Sequence, residues 1–118
     1  MHNFEAPRLH QWLDKQSAAN FDQLSYGIVQ MDHNGTVRAY NATESSYTGI
    51  DPQRAIGKHF FTEIAPCTNN FLVAGKYNQE ALDKTIDYLF TYVLKPTPVR
   101  LRMLKGDSPN MYLLVQKR

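Results

Sequence analysis

LSYGIVQMDHNGTVRAY, residues 24–40, is the stretch that decides the fold. LSYGIVQMD and TVRAY have the branched and aromatic make-up of strands, and Asp32-His33-Asn34-Gly35 lies between them. Asn-Gly between two such runs is the strongest short-range hairpin signal, because both residues tolerate positive φ. An antiparallel hairpin is therefore expected here. Beyond it the pattern breaks into short helical pieces. Asn41 can cap a turn over residues 42–47 that Gly49 ends with positive φ. Asp51-Pro52 opens another, with Asp at the N-cap and Pro at the first helical position. Gly57 punctuates again before HFFTEIAPC, residues 59–67.

Further out, NNFLVAGKYNQEALDK (69–84) is long enough for a helix, with Phe71, Leu72, Tyr77 and Leu82 forming much of an apolar face. Gly75 weakens it modestly. The last third returns to strand composition: IDYLFTYVLK (86–95), a stiff Pro96-Thr97-Pro98 connection, alternating VRLRML (99–104), turn residues 106–110, and MYLLVQK (111–117). Toward the N-terminus, Phe4, Leu9, Trp12 and Leu13 recur at near-helical spacing, with Pro7 as an early breaker. The expected organisation is a helical lead or cap over residues 1–20 and one α+β domain over 21–118, built on a five-stranded antiparallel sheet with helices on one face.

Composition narrows the function. The chain has 118 residues, a formal net charge of +2 and 20% charged residues, with no dense basic cluster to track a phosphate backbone. No apolar run approaches the ~18 residues of a membrane span. MHNFEAPRLHQW lacks a basic segment followed by an apolar one, so it does not read as a signal peptide. A single cysteine forbids an internal disulfide or a multi-thiolate metal site, and the cytoplasm is the expected compartment. The four histidines show no metal-binding spacing, and the six glycines form no phosphate-binding loop. His59 lies upstream of Cys67, but no orienting partner or oxyanion motif accompanies them, so a hydrolase is not expected. Taken alone, Cys67 reads as an inert buried thiol, Tyr40 as a half-buried sheet aromatic, Glu44 as a solvated helix residue, and Phe60 and Phe61 as core.

An ordered set of words changes that reading. YNATE (40–44), TG (48–49), DP (51–52), IGKHFF (56–61) and APCT (65–68) follow one another, preceded by GIVQMDHNG and followed by PTPV and VQKR. In this combination the chain resembles the photoactive yellow protein family of PAS-fold blue-light receptors from about Leu24 onward, while the first twenty residues match only weakly. The resemblance implies a PAS fold carrying 4-hydroxycinnamic acid (p-coumaric acid) as a thioester on Cys67. It implies that Tyr40 and Glu44 hold the phenolate oxygen, that Thr48 supports them, and that Phe90 and Leu94 close the pocket, with Phe60 and Ile50 lining it. Ile50 stands where the family commonly has an arginine, and Leu94 where it often has a methionine.

The physics is consistent with those roles. Burial can raise a carboxyl pKa by up to ~3–5 units, so a neutral, proton-donating Glu44 at neutral pH is reasonable. A helix beginning just beyond Cys67 would favour its thiolate. The expected protein is a monomeric, non-enzymatic photoreceptor that signals to a separate downstream protein, with no nucleic-acid or membrane partner. The competing reading is a PAS ligand-sensing or protein-interaction module without a chromophore.

Overall fold

The computed structural model describes residues 2–91 and 95–118. The chain order is α1 (Leu9–Asp14), α2 (Ala18–Phe21), β1 (Gly27–Met31), β2 (Val37–Tyr40), α3 (Ala42–Thr48) and α4 (Pro52–Ala55). There follow a π turn (Phe60–Ile64), 3-10 turns at Pro66–Thr68 and Ala74–Asn78, then β3 (Leu82–Phe90), β4 (Thr97–Lys105) and β5 (Met111–Lys117). The strands form one five-stranded sheet in the order β2-β1-β5-β4-β3, antiparallel at every neighbouring pair. This is the α+β architecture expected from the sequence.

The hairpin forms, by a slightly different route from the expected one. Gly35 takes φ 88°, whereas Asn34 stays out of the left-handed region. The turn is held instead by Asp32, whose Oδ1 accepts the amides of Asn34 (2.9 Å) and Thr36 (3.0 Å). Central strand β5 is buried on both faces and alternates between two apolar layers. Met111, Leu113 and Val115 join the layer that holds Tyr40, Phe60 and Phe90, while Tyr112 and Leu114 join the layer built by the N-terminal lead. In that second layer Phe4, Leu9, Leu13 and Phe21 are buried, and Trp12, half-buried, stacks on His2 at 3.9 Å.

Two expectations are corrected. Residues 69–84 do not form a helix; only Ala74–Asn78 coils, as a 3-10 turn. Asn70 diverts the chain: its Oδ1 accepts the amides of Leu72 (2.9 Å) and Val73 (3.2 Å), and its carbonyl accepts that of Gly75 (2.9 Å). Phe71, placed on the expected apolar face, is 77% exposed. The strand expected over 86–95 begins earlier, at Leu82, because β3 pairs with β4 from Leu82↔Lys105 to Phe90↔Thr97. Pro98 thus lies inside β4, near its end, rather than in a connection. Among the described residues, no helix is long and apolar enough to cross a membrane.

Candidate functional site

The corner between β2 and α3 gathers three of the expected residues. Tyr40 ends β2, Asn41 caps α3, and Glu44 and Thr48 lie one turn apart on the same helix face. The Tyr40 hydroxyl and Thr48 Oγ1 share a hydrogen bond of 2.7 Å in which either atom can be the donor. Thr48 Oγ1 also lies 3.2 Å from the Glu44 carbonyl, to which it can donate, and accepts the Ile50 amide at 3.2 Å. Its single proton can serve either the Glu44 carbonyl or the Tyr40 oxygen. When it serves Tyr40, the phenolic proton of Tyr40 points away from Thr48.

Glu44 is fully buried, at 0% exposure. Two features bring a carboxyl so deep. Asn41 Oδ1 accepts the Glu44 amide at 3.0 Å, which fixes the first turn of α3. Gly27 of β1 faces it, where a Cβ would overlap Glu44 Oε1 and stand 3.1 Å from Glu44 Cβ. Glycine is what lets the carboxyl lie against the strand. Next to it, burial raises the pKa of Tyr47; a backbone hydrogen bond from Lys117 opposes that rise, and Glu44 would add to it only when ionised.

Cys67, a free thiol, is half-buried in the turn Pro66–Thr68. The α-helix expected just beyond it is absent. The Cys67 carbonyl accepts the Tyr88 hydroxyl (2.5 Å) and Asn70 Nδ2 (3.1 Å). Neither donor was among the sequence-based candidates. Tyr88 had a readable signal, lying two residues before Phe90 and hence on the same strand face.

Phe60 and Phe90 are buried in the cluster that contains Tyr40, and half-buried Ile50 packs against it. Phe61 joins them, edge-on to Phe60 at 5.3 Å. Ile50 also lines an open cavity of about 550 Å³ shared with Arg54, Lys58 and Glu63. Arg54 and Lys58 thus border the same cavity as Ile50, although position 50 itself is aliphatic. Leu94 lies outside the described residues. Among the described residues, no group of His, Cys, Asp and Glu side chains is arranged to hold a metal ion.

Comparison with known proteins agrees with this architecture. The family model for the PAS fold matches residues 21–83. The chain is 38% identical over 104 residues to photoactive yellow protein of Rhodothalassium salexigens, covering 85% of this chain and 83% of that one. It is 33% identical over 120 residues to photoactive yellow protein of Halochromatium salexigens, covering 98% and 96%. The crystal structure of the photoactive yellow protein domain from the sensor histidine kinase Ppr of Rhodospirillum centenum superposes with a TM-score of 0.83 at 36% identity, covering 91% of this chain and 98% of that domain.

Proposed function

Because the chain belongs to the photoactive yellow protein family, we propose that it senses blue light through a 4-hydroxycinnamoyl group held as a thioester on Cys67. The observation that carries this reading is the full burial of Glu44 beside the Tyr40–Thr48 hydroxyl pair. A carboxyl and two hydroxyls at the edge of an aromatic layer form a donor set suited to a phenolic oxygen, and Phe60, Phe90 and Ile50 supply apolar surface for a ring. The half-buried thiol of Cys67 supplies the attachment point.

When bound, the pigment supplies blue-light absorption and a double bond that isomerises from trans to cis. The protein's part is electrostatic. In the dark Tyr40 donates its hydroxyl proton toward the phenolate oxygen, Thr48 donates to Tyr40, and Glu44 holds a proton on its carboxyl. These charge-assisted hydrogen bonds stabilise an anion that would be costly to bury alone. After illumination the Glu44 proton would pass to the phenolate oxygen, leaving a carboxylate in an apolar site at a cost of several kcal/mol. A domain stable by only ~5–15 kcal/mol relieves that cost by partial opening. The lead over residues 1–20, a unit separate from the sensor domain over 21–118, is the part that loosens. The cycle has no turnover, so this is a receptor and not an enzyme. It acts as a monomer on a downstream signalling protein. The structural relative from Rhodospirillum centenum, a domain of a sensor histidine kinase, provides a precedent for such an output.

The test is to mix the protein with an activated 4-hydroxycinnamate and follow absorbance and intact mass. The wild type should turn yellow and gain one 4-hydroxycinnamoyl unit, and Cys67→Ser should do neither. A colourless wild type with unchanged mass would sink the reading and leave a PAS ligand-sensing module.

A further inference from the structure

We propose that Tyr88 and Asn70 are positioning residues for Cys67, clamping its main-chain carbonyl so that the pigment's attachment point stays fixed while light acts on it. The proposal rests on the function proposed above and assigns it two further residues.

The turn around Cys67 satisfies its carbonyls unevenly. The Ala65 carbonyl accepts the Thr68 amide (2.9 Å), that of Pro66 accepts the Asn69 amide (3.0 Å), and that of Thr68 accepts the Asn70 amide (2.9 Å). Those of Ala65, Pro66 and Thr68 are thus met by backbone amides, with the Thr68 hydroxyl adding a second bond to Ala65 (2.7 Å). The Cys67 carbonyl is met by two side chains, the Tyr88 hydroxyl at 2.5 Å and Asn70 Nδ2 at 3.1 Å. The two donors are joined to each other, since Asn70 Nδ2 also donates to the Tyr88 oxygen at 2.8 Å.

Both are themselves held. Asn70 Oδ1 accepts the amides of Leu72 and Val73, which settles which end of its amide group faces Cys67. Tyr88 stands on β3 opposite Val99 of β4, with its ring edge-on to Phe90 at 6.4 Å. One donor thus comes from the loop that carries Cys67 and the other from the sheet. With its carbonyl pinned from both, the Cys67 peptide cannot rotate, the direction of the Cα–Cβ bond is set, and Sγ keeps only rotation about χ1. A fixed anchor makes the torque of photoisomerisation act on the acyl side of the C–S bond. A loose anchor lets the backbone yield, and the excited state returns unproductively.

The lone cysteine makes the test clean, because cysteine labelled with ¹³C at its main-chain carbonyl marks one site in the chain. The pigmented wild type, Tyr88→Phe and Asn70→Ser are compared, serine retaining an acceptor for the following amides. Two readouts are taken: the labelled amide band, light minus dark, and the quantum yield of photoisomerisation. The clamp predicts an upshifted labelled band in the dark for Tyr88→Phe and a light-induced change of that band which the wild type lacks. It also predicts a quantum yield below that of the wild type. Asn70→Ser should fall between the two, and the absorption maximum should hold, since the phenolic end is untouched. Normal yields in both pigmented variants would overturn the clamp alone, as would an unmoved band in Tyr88→Phe. A wild type that takes up no pigment would overturn the underlying function and the clamp with it.

Discussion

Glu44 shows how far one residue can depart from its type. A glutamate on a seven-residue helix ordinarily stays in water, and only the resemblance through YNATE, residues 40–44, pointed the other way. Its burial depends on the bare backbone of Gly27, which opens the word GIVQMDHNG but was not itself singled out as a site residue. Gly27→Ala should therefore destabilise the fold by about 1–3 kcal/mol, the usual cost of forcing a methyl group into a filled site. Urea unfolding checks this, and the loss should shrink when Glu44→Ala is added, because the overlap is with that side chain. Equal losses in both backgrounds would mean that the strand, and not the carboxyl, resists the methyl group. Glu44→Gln should keep a donor but remove the transferable proton. In the pigmented wild type, infrared difference spectra should show a protonated carboxyl band lost on illumination. That band should be absent from the variant, and a band surviving there would assign the proton to another residue.

Among the elements, those with strong local signals were legible. Asn-Gly placed the hairpin, Asn41 and Gly49 bounded α3, and Asp51-Pro52 opened α4, because each relies on backbone chemistry carried within a few residues. The run 69–84 misled, since its apolar spacing is real but a side chain next to the expected start, Asn70, competes for the amides that a helix would need. The early start of β3 was equally hidden, because polar Asp83, Lys84 and Thr85 are strand only through their pairing with β4. Asn41 does more than its N-cap signal revealed. Its Oδ1 accepts the amides of Ile28 (2.9 Å) and Glu44 (3.0 Å), and its Nδ2 donates to the carbonyls of Phe21 (2.8 Å) and Tyr26 (3.0 Å). It joins α2, β1 and α3 from a buried position. Asn41→Ala should cost more than the ~0.5–2 kcal/mol of an ordinary cap, since it also leaves buried backbone groups unsatisfied at about 1–3 kcal/mol each. Asn41→Asp should recover only the two acceptor bonds. Urea midpoints rank the three proteins, and an alanine loss confined to the ordinary cap range would show that water replaces the lost partners.

Across the whole molecule, the lead is fastened to the sheet at two polar points in addition to its apolar layer. At one, Asp14 Oδ1 accepts the Tyr112 hydroxyl (2.7 Å) and Asn110 Nδ2 (3.1 Å). Burial works against its ionisation, but hydrogen bonds from Tyr112, Asn110 and Ser108 and the charge of His10 outweigh it and hold the carboxyl below its ordinary value of 3.8. A depressed folded-state pKa stabilises docking above the ordinary carboxyl range and loses that contribution as pH falls through the lowered value. Acid should thus loosen the lead, and Asp14→Asn should flatten that dependence. At the other point stands Arg102, only 6% exposed. Its Nη1 donates to the carbonyls of Phe4 (2.9 Å) and Ala6 (2.8 Å), while Nε and Nη2 hold Asp83 at 2.9 and 2.8 Å. Asp83 lies on β3, the strand that carries Tyr88 and Phe90, so one guanidinium joins the lead to the strand that borders the site. Lysine cannot reproduce this fork, because it offers a point charge where four bonds need a planar donor set. Arg102→Met and Arg102→Lys should both raise hydrogen exchange at the amides of the lead and leave β1, β4 and β5 protected. With bonds to a charged donor worth about 1.5–3 kcal/mol each, losing the two to the lead shifts its opening equilibrium by a large factor even after water compensates in part. If the pigment drives opening of the lead, these variants should also show a smaller light-induced increase in exchange, since part of the release has already occurred in the dark. Lead amides as protected in Arg102→Met as in the wild type would mean that the apolar layer of Phe4, Leu9, Leu13 and Phe21 holds the lead without the guanidinium.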